Sequence, residues 1–278
     1  MRSANLIVVI LGIAGTTTAA VIAWRWRCLP LFTDVRPAVE TRHRAAIDGL
    51  RTLAVVMAAG VLAGALVPGL GGRLVMRILG ATSSDAQGVR TMANQPVGEI
   101  TNSGTIGVIV FVGLLGGAIA ALAFLVLRRW LPTTAGPAGA LTGVLLLGTI
   151  GVSDAMSPDN KDFAILRPTW LAVTLVVALA LLFGVTFSAL AARLDAGMPT
   201  LGTRPSSIAS HAALVIYLVP FLLVGAAVYV TGRAALRGRL TSWLTSTAAL
   251  RVGHSIVGIG SVLAAVSSIR AIGEIISA

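Results

Sequence analysis

The chain has 278 residues, of which 56% are hydrophobic and 11% are charged, whereas soluble domains carry roughly a quarter charged residues. Its mean hydropathy of +0.92 excludes an ordinary soluble domain and a disordered chain. With 31 glycines and one cysteine, it also lacks the composition of collagen-like and disulfide-stapled proteins. A multi-pass membrane protein remains.

The charge balance is strongly positive, with 21 Lys and Arg against 10 Asp and Glu and a formal net charge of +11. Most arginines lie beside apolar runs, where their side chains reach anionic headgroups, so the membrane surface is favoured over nucleic acid. We therefore expect the lipid bilayer and anionic lipid headgroups as partners, other membrane proteins as further candidates, and no nucleic acid. Cys28 cannot form an internal disulfide and leaves the redox compartment undefined.

Seven charge-free stretches come close to or exceed the length of about 20 apolar residues that a helix needs to cross a bilayer. Because the stretches are continuously apolar rather than alternating, they favour helices over barrel strands. The sequence predicts one all-α membrane domain, residues 1–278, forming a polytopic bundle of about seven transmembrane helices. The helices are expected near residues 4–24, 52–72, 102–127, 134–153, 168–192, 209–231 and 252–270.

The first stretch has two interpretations, an uncleaved helix or a cleaved signal peptide. Its n-region holds only Arg2, and the sequence WRWR at 24–27 is typical of a membrane interface, so we favour the uncleaved helix. The densest arginine cluster follows directly, which predicts cytoplasmic residues 25–51 and an outside N-terminus in the cell membrane. In a seven-helix topology the last helix then ends on the cytoplasmic face.

Small residues and prolines predict how the helices pack. Pro68 and Pro220 each remove a backbone donor and are expected to bend their helices. Glycines at helical spacing allow close approach of two backbones. Two such faces are predicted, Gly60 and Gly64 in the second helix, and Gly113, Gly116 and Gly117 in the third.

The long loop after the second helix holds a candidate polar cluster. Arg73 and Arg77 share one helix face if the second helix continues past Gly72, as the apolar residues around them indicate. Two such arginines could clamp a phosphate or carboxylate, or pair with Glu99 across the loop. The alternative role is anchoring to lipid headgroups at a helix end. We predict a ligand-binding or structural cluster of Arg73, Arg77, Glu99, Asp154 and Asp162.

The loop at 153–163 supplies the last two of these carboxylates. Three acidic residues there could hold a cation, but their spacing does not match an EF-hand, and Ser-Pro-Asp-Asn is ordinary turn chemistry. We therefore expect a turn, with no metal site and no cofactor. The seven-helix topology places this loop on the same face as the loop at 73–99, so electrostatic pairing between the two loops is expected.

The last helix carries a polar stripe in which His254, Ser261 and Ser268 share one face. Helix packing through small residues, with His254 at the interface, is favoured over a functional site. Ser153 with His254 is the best catalytic candidate, because a serine and histidine on two helices resemble the dyad of rhomboid proteases. The surrounding motifs fit poorly, HExxH, CxxC and Walker A motifs are absent, and we predict no catalytic residue.

Three short motifs, GRLVMR at 72–77, GEIT at 98–101 and PDNKDF at 158–163, resemble a group of actinobacterial multi-pass membrane proteins without an assigned function. The resemblance covers roughly the second to fifth helices and implies a bacterial plasma membrane. We expect a non-enzymatic membrane protein, either a scaffold subunit or a binder of an anionic ligand. The alternatives are a small-solute transporter and a membrane enzyme acting on lipid or peptide.

Overall fold

The structure, a computed structural model, describes residues 2–32, 42–83, 86–91, 96–97, 101–155, 160–197 and 247–277. Every regular element within these ranges is helical. The α-helices are α1 Arg2–Trp26, α2 Arg42–Gly64, α3 Gly72–Thr82, α4 Asn102–Gly107, α5 Gly116–Leu127, α6 Ala135–Leu146, α7 Lys161–Ile165, α8 Thr169–Gly197 and α9 Thr247–Ser277. Three π-helical segments, Ala65–Gly71, Val108–Leu115 and Leu147–Ala155, and a 3₁₀ turn, Arg128–Trp130, continue these helices.

Six helical runs in the described residues are long and apolar enough to cross a membrane. The chain is therefore an all-α membrane protein, as the sequence predicts. The exact count of seven is not confirmed, because the predicted span 209–231, with Pro220, lies outside the described residues. The six runs are Leu6–Trp26, Arg51–Thr82, Ser103–Trp130, Ala135–Val152, Thr169–Gly197 and Thr247–Ser277.

The second run is the centre of the bundle, since 72% of its most apolar window is buried, compared with 17% in the first run. It continues past Gly72 into α3, as the apolar residues predict. Pro68 lies inside the run, in the π-helical segment Ala65–Gly71. Proline clashes with the carbonyl four residues earlier in an α-helix, and the wider π turn moves that carbonyl away. The proline therefore alters the helix locally without ending it.

The bundle has two ends, which we name after one arginine at each. The Arg51 end consists of residues 24–32, 51, 128–136 and 193–197. There the chain after α1 docks on the start of α6, with Leu31 N donating to Thr133 O at 2.8 Å and Ala135 N donating to Leu29 O at 3.0 Å. The Arg167 end consists of residues 73–83, 86–91, 101–105, 160–170 and 272–277. The loops after the second and fourth runs both lie at this end, as expected.

The last helix runs in the opposite direction to the one predicted. Gly253 of α9 lies against Trp130 at the Arg51 end, and Ile275 belongs to an apolar cluster with Leu79 and Phe163 at the Arg167 end. Because α8 ends at the Arg51 end, α9 runs antiparallel to α8. The prediction that the last helix ends on the face of residues 25–51 is wrong, because span length carries no information on helix direction.

The two predicted glycine faces meet each other. A Cβ added at Gly60 would lie 2.8 Å from Ala121 Cβ and overlap the carbonyl oxygen of Gly117, and one added at Gly64 would overlap that of Gly113. The second and third runs therefore touch through their backbones, as in small-residue interfaces of membrane helices. Gly116 lies off this interface, since its nearest contact would be Phe111 O at 3.8 Å.

A second glycine contact, absent from the predictions, joins α6 and α8. A Cβ added at Gly139 would lie 2.6 Å from Gly184 O, and one added at Gly143 would lie 2.8 Å from Ala180 O. Beside this contact, Phe187 of α8 packs edge-on against Phe124 of α5 with ring centroids 4.9 Å apart. Backbone contact brings α2, α5, α6 and α8 together and fixes the positions of the polar residues at the two ends.

Candidate functional site

Arg73 is the most buried arginine of the predicted cluster, with 6% of its surface exposed. It lies in the first turn of α3, inside the second membrane run. Its Nε and Nη2 donate to Thr105 Oγ1 at 3.2 and 2.7 Å, and Nη2 also donates to Thr101 O at 3.2 Å. On the remaining edge, Nη1 meets Met76 Sδ at 3.6 Å. All of these partners are uncharged.

The start of the third run positions the two threonines. Thr101 is the N-cap of α4, where its Oγ1 accepts from Gly104 N at 3.1 Å. Thr105, one turn later, donates to Thr101 O at 2.8 Å. An N-cap followed by a threonine at i+4 presents two oxygens to the neighbouring helix. The third run therefore orients the guanidinium of Arg73 with neutral dipoles.

The other members of the predicted cluster are described in part. Arg77 is half-buried one turn after Arg73 on α3. Asp162 lies in the first turn of α7, where its backbone N donates to Asn160 Oδ1 at 2.9 Å. Glu99 and the side chain of Asp154 lie outside the described residues. Within the described part of the chain Arg73 bonds no carboxylate, and the predicted cluster as a whole stays a prediction.

The two loops at the Arg167 end are joined by neutral hydrogen bonds. Ser83, 4% exposed at the end of α3, donates from Oγ to Arg167 O at 2.8 Å and accepts from Arg167 N at 2.7 Å. Below this contact, Phe163 packs in an apolar cluster with Val75 and Leu79 of α3. A serine thus joins the two loops, and the expected electrostatic pairing between their charged groups stays a prediction.

An ion pair that the sequence did not reveal lies at the opposite end. Arg51 Nη1 is 2.6 Å from Asp195 Oδ1, and Nη2 donates to Asp195 O at 2.6 Å. The two side chains are 15% and 19% exposed. The pair joins the start of the second run to the end of α8 across 144 positions of sequence. No local spacing signals such a contact.

Arginines at the Arg51 end stack on aromatic rings. Cation–π stacking and a planar guanidinium suit the membrane interface, where one side of the ring is apolar and the other is hydrated. The rings and arginines come from the end of α1 and from the facing ends of the third run and α8. The pairs are Arg27 over Trp24 at 3.6 Å, Arg128 over Phe32 at 5.3 Å and Arg193 over Trp26 at 5.8 Å.

The structure buries two residues of the predicted polar stripe on α9 and exposes the third. Ser261 and Ser268 are buried, and each donates to a carbonyl of its own helix, Val257 O at 2.6 Å and Ala264 O at 2.7 Å. His254 is exposed, and its Nδ1 lies 2.7 Å from the carbonyl oxygen of Leu250. The expected place of His254 at the packing interface is wrong. The buried stripe passes through Gly253, which leaves room for Trp130.

Ser153 and His254 do not form a dyad. Gly148 of the fourth run touches Ala264 of α9, and the two runs are parallel, since Trp130 just before α6 lies against Gly253. Ser153 follows Gly148 toward the Arg167 end, whereas His254 precedes Ala264 toward the Arg51 end. At about 1.5 Å of rise per residue, the two helix positions are roughly 20 Å apart along the bundle.

Within the described ranges, no group of three His, Cys, Asp or Glu side chains could hold a metal ion. No known family model, curated protein or solved structure matches this chain. The resemblance to the actinobacterial membrane proteins therefore stays a prediction. Any proposal about the function of this chain therefore has to be argued from its own residues.

Proposed function

We propose that this protein is a non-enzymatic integral membrane protein that binds an anionic ligand through Arg73. The observation that supports the proposal is the guanidinium of Arg73, which is 6% exposed within a membrane run and bonds only neutral groups in the described part of the chain. A buried charge without an opposite charge is costly, and ionisable groups inside membrane spans are usually functional. An anion would offset that cost.

The free capacity of the guanidinium defines where the anion binds. Thr101 and Thr105 occupy Nε and Nη2, whereas Nη1 meets only the weak thioether acceptor of Met76. Arg77 follows at i+4 on the same face of α3 and adds a second positive charge. Two guanidinium groups on one face suit the oxygens of a phosphate or carboxylate. The ligand class is therefore a phosphate or a carboxylate.

A phosphate titration tests the proposal. Purified protein in detergent would be unfolded thermally with increasing sodium phosphate, and with sodium chloride of equal ionic strength as reference. Phosphate is expected to raise the apparent Tm of the wild type progressively, because a ligand that binds only the folded state stabilises it. The rise is expected to disappear in Arg73→Gln and to shrink in Arg77→Gln, which keeps the buried arginine. Arg129→Gln, an exposed arginine at the Arg51 end, is the matched control.

Two outcomes contradict the proposal. If Arg129→Gln reduces the phosphate effect as much as Arg77→Gln, the anion is attracted by net charge and not by the site. If neither phosphate nor a carboxylate such as succinate raises the Tm more than chloride does, Arg73 serves the structure alone.

The proposed orientation places the Arg51 end in the cytoplasm of a bacterial plasma membrane. The arginines around the end of α1 support it, because Arg25 and Arg27 lie at this end of the bundle. Arg42, Arg44 and Arg51 follow in the first half of α2, so the densest arginine cluster of the sequence belongs to this end. This asymmetry fits the positive-inside rule. The partners we propose there are anionic headgroups, which the stacked arginines of this end would contact.

A small-solute transporter is the second candidate, favoured by the π-helical segments in three of the membrane runs. Such segments often lie at functional sites, and two of them touch, with Gly69 placed so that an added Cβ would lie 3.6 Å from Ile109 Cα. Phosphate uptake into proteoliposomes would separate the candidates. Saturable uptake that Arg73→Gln abolishes supports transport, whereas binding without uptake supports the first proposal.

A further inference from the structure

A cleft of about 480 Å³ opens at the Arg167 end between α3, α8 and α9. It is separate from Arg73, which does not line it. Its volume is within the range of small-ligand sites, roughly 300–1,000 Å³. The lining residues are Thr82, Arg167, Pro168, Thr169, Trp170 and Ile276.

The charge in this cleft is positive, and the backbone of the residue that carries it is held in place. Both backbone polar groups of Arg167 bond the buried Ser83, at 2.7 and 2.8 Å, which fixes the point from which its side chain extends. The guanidinium itself is exposed, and within the described ranges no residue bonds it. Among the described residues, no acidic side chain lines the cleft. The cleft therefore offers a cation whose backbone is anchored by Ser83 and whose guanidinium is not bonded within the described ranges, with the Thr169 hydroxyl beside it.

The apolar side of the cleft lies at the membrane boundary. Thr169 begins the 29-residue membrane run of α8, and Trp170 follows it with 59% of its surface exposed. Ile276, near the end of α9, is 55% exposed on the other wall. Tryptophans at such positions sit at the level of the headgroups, with apolar side chains facing the acyl region. The cleft is thus cationic at its outer part and apolar toward the bilayer.

We propose that this cleft binds the headgroup of an anionic phospholipid. Arg167 bonds the phosphate, Thr169 offers its hydroxyl to a headgroup oxygen, and Trp170 and Ile276 contact the first carbons of an acyl chain. Arginine suits the phosphate because its planar donors bond two oxygens at once. A free anion would use Arg167 but gain nothing from the apolar wall. The position at the bilayer boundary therefore favours a lipid.

Native mass spectrometry of the full chain in detergent tests this site. Phosphatidylglycerol and phosphatidylcholine would be added in turn, and the lipid-bound fraction measured for the wild type, Arg167→Gln and Trp170→Leu. We expect phosphatidylglycerol to bind in preference to phosphatidylcholine. Arg167→Gln should weaken phosphatidylglycerol binding on the order of tenfold, the effect of one charge-assisted hydrogen bond. Arg129→Gln should leave it unchanged.

Several results would overturn the lipid assignment. Equal weakening by Arg129→Gln would mean general attraction to net charge. Full competition by inorganic phosphate at millimolar concentration, with no effect of Trp170→Leu, would mean a free-anion site. If Arg167→Gln does not fold, unchanged phosphatidylglycerol binding in Trp170→Leu overturns the proposal independently. Arg73→Gln separates the two sites, because it should abolish the phosphate-induced rise in Tm while leaving lipid binding intact.

Discussion

The backbone contact between α2 and α5 makes a sharp prediction for two neighbouring glycines. Gly117→Ala should destabilise the protein, whereas Gly116→Ala should not. A Cβ at Gly117 would overlap the carbonyl oxygen of Gly60 and lie 2.9 Å from its carbonyl carbon and 3.2 Å from Gly64 Cα. A Cβ at Gly116 would meet only Phe111 O, at 3.8 Å, which is an ordinary contact. The two substitutions are chemically identical and adjacent in the sequence. They differ only in that Gly117 faces α2 and Gly116 does not.

The size of the destabilisation by Gly117→Ala depends on which atoms must move to make room for the new methyl group. The atoms opposite Gly117 are backbone, so no side chain can rotate away, and the two helices must separate by on the order of 1 Å. Overpacking of this kind costs typically about 1–3 kcal/mol. Gly116→Ala removes a flexible residue from a helix without a clash and should be neutral or stabilising by up to about 1 kcal/mol. The expected difference between the variants is therefore about 1–4 kcal/mol.

Unfolding by sodium dodecyl sulfate in mixed micelles, followed by tryptophan fluorescence, would measure both free energies of unfolding. The ranking matters more than either value, because the pair cancels effects of expression and detergent. If Gly117→Ala were as stable as Gly116→Ala, the helices would not touch through their backbones. The glycine-face interpretation of the second and third runs would then be wrong.

Two further predictions concern the ends of the bundle. Asp195→Ala should lower the free energy of unfolding by about 1–3 kcal/mol, because it removes the carboxylate that pairs with the largely buried Arg51. A double-mutant cycle between Arg51 and Asp195 should show a coupling energy above about 0.5 kcal/mol. Equal, additive losses would contradict the ion pair. The second prediction concerns topology and uses a chain in which Cys28 is replaced. Single cysteines placed at Gln87 and at Ser277 should react with an impermeant maleimide from one side of the membrane. A cysteine placed at Thr133 should react only from the other side. Labelling of Ser277 and Thr133 from the same side would contradict the direction of α9.

Local sequence patterns predicted those parts of the fold that depend on local properties. Charge-free length located the six described membrane runs, and glycine spacing located the contact of Gly60 and Gly64 with the third run. The Arg51–Asp195 pair and the threonines that hold Arg73 were not predictable, because each joins residues far apart in the sequence through the packing of whole helices. The direction of α9 was missed for the same reason, since composition determines that a segment can cross a membrane but not which way it runs.

The two ends of the bundle treat their arginines differently, and this difference supports anion chemistry at one end. At the Arg51 end, Arg27, Arg128 and Arg193 stack on aromatic rings, and Arg51 pairs with Asp195. At the Arg167 end, Arg73 is bonded by neutral threonines, and Arg167 is bonded only through its backbone, by Ser83, among the residues the structure describes. If structure alone determined these contacts, carboxylates would satisfy the buried guanidinium of Arg73 better than hydroxyls do. Neutral partners fix the position of a cation without cancelling its charge, which leaves that charge available to an anion from outside the chain.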